Sequence, residues 1–102
     1  MAGAEYRSFR EFYPFYLSEH SKSGTRRLHF AGTLFVLLTL AYALVAQQWR
    51  FLALLPVFGY GFAWVAHFAV ERNRPATFQY PLYSLAGDFR MFADMLRGRV
   101  AF

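Results

Sequence analysis

Two apolar runs dominate the chain. The first, FAGTLFVLLTLAYALVA, extends from Phe30 to Ala46 without a charge, and the second covers Phe51 to Val70 with His67 as its main polar intruder. Seventeen helical residues rise roughly 25 Å, the short end of a bilayer span, and twenty rise more. Only Gln47-Gln48-Trp49-Arg50 separates the runs, so the pattern predicts spans over 30–46 and 51–70 joined as a hairpin. Within the second run Gly59, Ala63, His67 and Glu71 recur every fourth residue and share one helical face. Pro75 is expected to stop that helix, because it lacks an amide hydrogen and biases Arg74 towards an extended conformation.

The flanks read differently. Ser8 and Glu11 fit a capping box, and Phe9, Phe12, Tyr13, Phe15 and Tyr16 make the following helix aromatic. It is too short and too charged to span, so residues 8–20 are expected to lie at the membrane interface, with a bend at Pro14. After the second span, Pro81 resists a helix, and an amphipathic helix is predicted over 85–97. Its apolar stripe is Leu85, Phe89, Phe92 and Leu96, with Arg90, Asp94 and Arg97 opposite. The expected fold is all-α: a single integral membrane domain over residues 1–102, two spanning helices flanked by interfacial amphipathic ones.

Composition and charge agree with that reading. Of 102 residues, 57% are apolar and 22% aromatic, more than a soluble domain of this size can bury. The net charge of +5 does not point to nucleic acid, because the basic residues flank apolar runs and form no block of their own. Five basic residues precede the first span (Arg7, Arg10, Lys22, Arg26, Arg27) and five follow the second (Arg72, Arg74, Arg90, Arg97, Arg99); the turn carries only Arg50. The positive-inside rule then places both termini in the cytoplasm. His29 and His67 fall at similar depth on that side, and the hairpin brings them together.

Cysteine is absent, so thiolate catalysis and iron–sulfur clusters are excluded and any metal must be held by nitrogen or oxygen. The candidate ligands are His20, His29 and His67, with Glu71 one turn beyond His67. Neutral imidazoles with a carboxylate suit Fe(II), zinc or manganese. A histidine inside an apolar helix is a functional residue by default, whereas His20 could be an ordinary loop residue and Glu71 a salt-bridge partner of an arginine. Arg26, Arg27 and Arg74 could grip a carboxylate in bidentate fashion near the histidines. Asp88 and Asn73 are candidates for orienting a ligand histidine. From the residues alone three readings stay open: a non-haem metal site, a b-type haem held by His29 and His67, and a structural or partner-binding membrane protein.

The stretches FYLSEHSKSGTRRLHFAGT and GYGFAWVAHFAVERNRPATF carry a further pattern: a histidine, then L-H-x-x-G, an apolar run, and H-F-x-x-E-x-x-x-P-A. In this the chain resembles the small membrane-protein family that includes the fungal endoplasmic-reticulum 2-hydroxy fatty acid dioxygenase. It is shorter than the fungal protein, which has more hydrophobic segments, and NRPATFQYPLYSLAGDFRMF is similar to the bacterial branch. The resemblance implies an Fe(II) enzyme of the inner membrane that removes one carbon from a long-chain 2-hydroxy fatty acid with O2. It also implies that His20, His29, His67 and Glu71 stand at the family's histidine and acidic positions. Membrane lipid is the expected surrounding, and whether the chain forms a homo-oligomer is left open.

Overall fold

The computed structural model describes residues 6–102, and these are helical throughout, with no strand among them. The helices are α1 (Phe9–Ser18), α2 (Ser23–Val45), α3 (Leu54–Val65) and α4 (Pro81–Leu96). A 3-10 turn, Trp49–Ala53, leads into α3, and a π-helical segment, Ala66–Glu71, continues it. Two stretches, Ser23–Val45 and Trp49–Glu71, are therefore each 23 residues long and apolar enough to cross a membrane. Both begin or end beyond the uncharged runs, because helix continues through the polar residues at their site-bearing ends. Only 22% and 17% of their most apolar windows are buried. Side chains such as Leu38, Val57, Trp64 and Val65 point outward, as lipid contact requires and as the core helix of a soluble protein does not allow.

The hairpin is tight at one place. A Cβ built on Gly32 would lie 2.8 Å from the Phe62 Cβ and 2.9 Å from the Phe58 carbonyl oxygen, so only glycine lets α2 meet α3 there. Phe35 stacks on Phe58 and Phe62 just beyond, with ring centroids 5.4 and 5.6 Å apart.

Helices α1 and α4 pack together across the site end of the hairpin. Phe12, Tyr16, Met91 and Met95 form the buried core between them, walled by further aromatic rings. Gly87 gives the Tyr16 ring its seat, since a Cβ there would come within 2.8 Å of it. At the start of α1 the Ser8 hydroxyl accepts from the Glu11 amide at 3.2 Å, and the Glu11 carboxylate reaches back to the Arg7 amide, one residue earlier than a reciprocal box would.

Helix α4 departs from expectation at its start. It begins at Pro81, not 85, because the first helical position needs no amide hydrogen. Of its apolar stripe, Leu85, Phe89 and Leu96 are exposed, while Ser84, Gly87, Met91, Asp94 and Met95 are buried. Where the surrounding solvent is lipid, apolar residues can face out and small or polar ones can pack in. Asp94 lies on the inner side, accepting from the Tyr13 hydroxyl at 2.8 Å and from Arg90 at 3.0 Å.

Candidate metal centre

Each of the three histidines arrives on a different element. His20 follows α1 in the turn to α2, His29 sits in the second turn of α2, and His67 is in the π-helical segment. All are buried. Their Nε2 atoms form a small triangle, with separations of 2.9 Å (His20–His29), 3.1 Å (His29–His67) and 3.1 Å (His67–His20). The rings stand nearly perpendicular to one another, at 72°, 77° and 77°.

Hydrogen bonding at the other ring nitrogens decides what this triangle is. The Nδ1 of His20 faces the Tyr16 carbonyl oxygen at 2.7 Å, which can only accept, so the proton sits on Nδ1. The Nδ1 of His67 faces Asn73 Oδ1 at 2.7 Å, and the Asn73 amide is oriented because its Nδ2 donates to the Glu19 carbonyl at 3.1 Å. The Nδ1 of His29 lies 3.5 Å from Asp88 Oδ1, a carboxylate that also accepts from the Tyr16 hydroxyl at 2.5 Å. With Nδ1 as the protonated nitrogen of His20 and His67, their Nε2 lone pairs face each other and the His29 Nε2 across about 3 Å. Lone pairs opposed in this way repel unless a cation lies among them.

The spacing suits a metal. Metal–imidazole bonds of about 2.1 Å at right angles put their nitrogens about 3.0 Å apart, whereas tetrahedral angles spread them to about 3.4 Å. The observed triangle matches one face of an octahedron. The three histidines are the group of metal-ligating side chains that the described residues bring together, with ligand atoms within 4.8 Å of one another.

Electrostatics favour the neutral ligand. Burial pulls the His20 pKa down from 6.5 to about 3; the Tyr16 carbonyl opposes this and the neighbouring His67 adds to it. Burial pushes Asp88 up to about 7, partly offset by the Tyr16 hydroxyl. Tyr16 itself is held well above its ordinary value by burial and by Asp88.

Glu71, expected as a fourth ligand, is not brought into this cluster. Its carboxylate accepts from the Ser21 hydroxyl, from the Lys22 amide at 3.0 Å and from the Thr25 hydroxyl at 2.7 Å. Lys22 is the N-cap of α2 and has no capping side chain, so Glu71 caps α2 from across the hairpin and puts negative charge at its positive end. The π-helical segment explains the change of direction. Its wider turn alters the azimuth of Glu71 relative to His67, and the helix ends at Arg72, left-handed at φ 60°, three residues before Pro75.

The arginines divide. Arg26 is taken up by backbone carbonyls, those of His20 at 2.9 Å, Ser21 at 2.7 Å and Ala101 at 2.7 Å. Arg27 is exposed and, two residues from His29, projects from another side of α2. Arg74 is exposed, lies over the Phe78 ring at 4.9 Å and lines an open basin with Arg72 and Asn73. Of the two residues expected to orient a histidine, Asn73 stands against His67 and Asp88 against His29.

Tyr16 was not singled out from the sequence. Its carbonyl orients His20, its hydroxyl meets Asp88, and its ring stacks on His20 at 4.1 Å. The signal was present, since Tyr16 precedes His20 by four residues at the end of a helix.

Residues 6–100 match the family model described as 2-hydroxy-palmitic acid dioxygenase Mpo1-like. The chain belongs to this family. No curated protein and no solved structure matches the chain. The family description implies dioxygenase chemistry on a 2-hydroxy fatty acid, and the three buried histidines could hold the metal such chemistry uses.

Proposed function

We propose that this protein is an Fe(II)-dependent dioxygenase of the bacterial inner membrane, converting a long-chain 2-hydroxy fatty acid to the acid one carbon shorter. The convergence of three buried Nε2 atoms at octahedral-face spacing carries the reading. The family match supplies the substrate class. The reaction balances without an outside reductant: R–CH(OH)–COOH plus O2 gives R–COOH, CO2 and H2O.

His20, His29 and His67 would hold the metal, which when bound supplies a Lewis acid and a redox partner for dioxygen. The chain's own residues do the rest. Tyr16 and Asn73 fix the tautomers and ring directions of His20 and His67, and Asp88 stands at the Nδ1 of His29, so the ligands are oriented before binding. Glu71 and Arg26 lock the turn that carries His20 against α2. Arg74, exposed in the basin beside Asn73, is the arginine best placed to attract the substrate carboxylate. By the positive-inside rule, the site and both termini lie on the cytoplasmic side.

A haem between His29 and His67 is disfavoured. Its axial nitrogens would sit roughly 4 Å apart, twice an ordinary metal–imidazole bond, whereas these two are 3.1 Å apart with His20 beside them. A purely structural role would leave the Nε2 lone pairs of His20 and His67 opposed at 3.1 Å in a buried site.

The test is oxygen uptake by the purified protein, with and without Fe(II), on adding 2-hydroxyhexadecanoic acid. Iron-dependent uptake matched by CO2 release is expected. Bound iron without uptake would discard the substrate, and no tight iron would discard the site. His67→Ala should lose the iron while keeping its helical content.

A further inference from the structure

A groove of about 320 Å³ runs between α2, α3 and α4. One end is formed by Thr33 and Asp88, the other by Leu40, Leu55 and Pro56, with Val36 between. The polar end adjoins one histidine: Asp88 lies 3.5 Å from His29 Nδ1, and Thr33 follows His29 by one helical turn on the same face. From Thr33 to Leu40 the groove descends about 10 Å along α2, from the middle of the span towards the turn that joins the two spans. Its α4 lip is Leu85 and Phe89, both exposed, so the groove is open sideways to lipid.

We infer that this groove seats the part of the 2-hydroxy acid's alkyl tail nearest the head group, with Leu40 and Leu55 at its far end, beyond which the rest of a long chain passes into lipid. The inference rests on the proposed reaction for the identity of the head group. Polarity argues for the occupant. A molecule lying here needs a polar head at the end formed by Thr33 and Asp88, next to His29, and an unbranched apolar tail extending from it, which describes a 2-hydroxy fatty acid. The lateral opening lets a tail slide in from the bilayer without leaving hydrocarbon, so its apolar surface is never exposed to water. A comparable depression on the other side of α3, lined by Leu28, Val57 and Phe62, has no polar side chain in its lining and offers no such head site.

The experiment uses the full chain in phospholipid nanodiscs, loaded with zinc to prevent turnover, and a 2-hydroxyhexadecanoic acid carrying a diazirine midway along its tail. After photolysis, peptide mapping should place the label on Val36, Leu40, Leu55 or Pro56. An excess of unlabelled 2-hydroxy acid should displace it, although bilayer phospholipid is already abundant. Leu40→Trp should cut labelling about tenfold, with metal content as the check on folding, and Leu40→Ala should not.

Label elsewhere, label that the free acid does not displace, or equal labelling of Leu40→Trp and wild type would each overturn the groove. These results separate from the reaction itself. Turnover with label on another face removes the groove and keeps the dioxygenase. Displaceable label in the groove without turnover keeps the tail site and removes the reaction.

Discussion

Asn73 Oδ1 accepts from His67 Nδ1 at 2.7 Å, and its orientation is not free, because the same amide donates to the Glu19 carbonyl at 3.1 Å. One side chain thus ties the end of α1 to the ligand on the π-helical segment. It holds the imidazole with its Nε2 towards His20 and His29. Asn73→Leu keeps the bulk and removes both bonds. Metal affinity, read by chelator competition, should fall by about 10- to 100-fold, with the metal still binding in one-to-one stoichiometry. Unchanged affinity would show that His67 is oriented by packing alone.

Glu71 makes the opposite prediction. Its carboxylate joins the start of α2 to the end of the second span through Ser21, Lys22 and Thr25. Glu71→Ala leaves an amide and two hydroxyls to find other partners and should destabilise the detergent-solubilised protein by about 1–3 kcal/mol. Iron stoichiometry should stay at one per chain. An iron-free but fully stable Glu71→Ala protein would return the carboxylate to the ligand set.

Gly32 tests the hairpin. Gly32→Ala places a methyl group 2.8 Å from the Phe62 Cβ and 2.9 Å from the Phe58 carbonyl oxygen, and backbone cannot yield as a flexible side chain can. The helices must separate, at a cost of about 1–3 kcal/mol. Gly61→Ala is the control, since nothing lies within 4 Å of the added carbon. The first variant should melt earlier than the second; equal melting would remove the close approach of α2 and α3 from the fold.

The legible parts of the molecule are those that a single segment determines. Uncharged runs 30–46 and 51–70 are long enough to announce two spans, and a histidine at position 67 of an apolar helix announces a site. What could not be read depends on tertiary placement. Glu71 stands one turn from His67 in sequence, but the π-helical segment and the bare N-terminus of α2 draw it to the other task. Asp88 and Tyr16 acquire meaning only when α4 packs on α1. The stripe of Leu85 and Phe89 was legible as a pattern, but that α4 packs inward through Gly87, Met91 and Met95 instead was not.

The Tyr13–Asp94 pair gives the pH prediction, well away from the histidines. Burial, the hydrogen bond to Asp94 and the charge of Asp94 together hold the Tyr13 phenol well above its ordinary 10.0, with Arg90 opposing. Burial resists ionisation of Asp94, yet the Tyr13 hydroxyl and Arg90 outweigh it and leave its carboxyl below the ordinary 3.8. The signs follow from which state binds the proton more tightly. Asp94 contributes stability that is present above pH 3.8 and lost as pH falls through its lower folded value. Tyr13 is protonated more tightly when folded, so its contribution is complete below pH 10.0 and disappears as pH rises beyond it. Between those limits the pair is insensitive to pH. Melting temperature of the wild type should therefore fall more steeply above pH 10.0 than that of Tyr13→Phe, which has no phenol to ionise. Parallel curves for the two proteins in that range would mean that the hydroxyl is solvated and the bond to Asp94 does not hold α1 against α4.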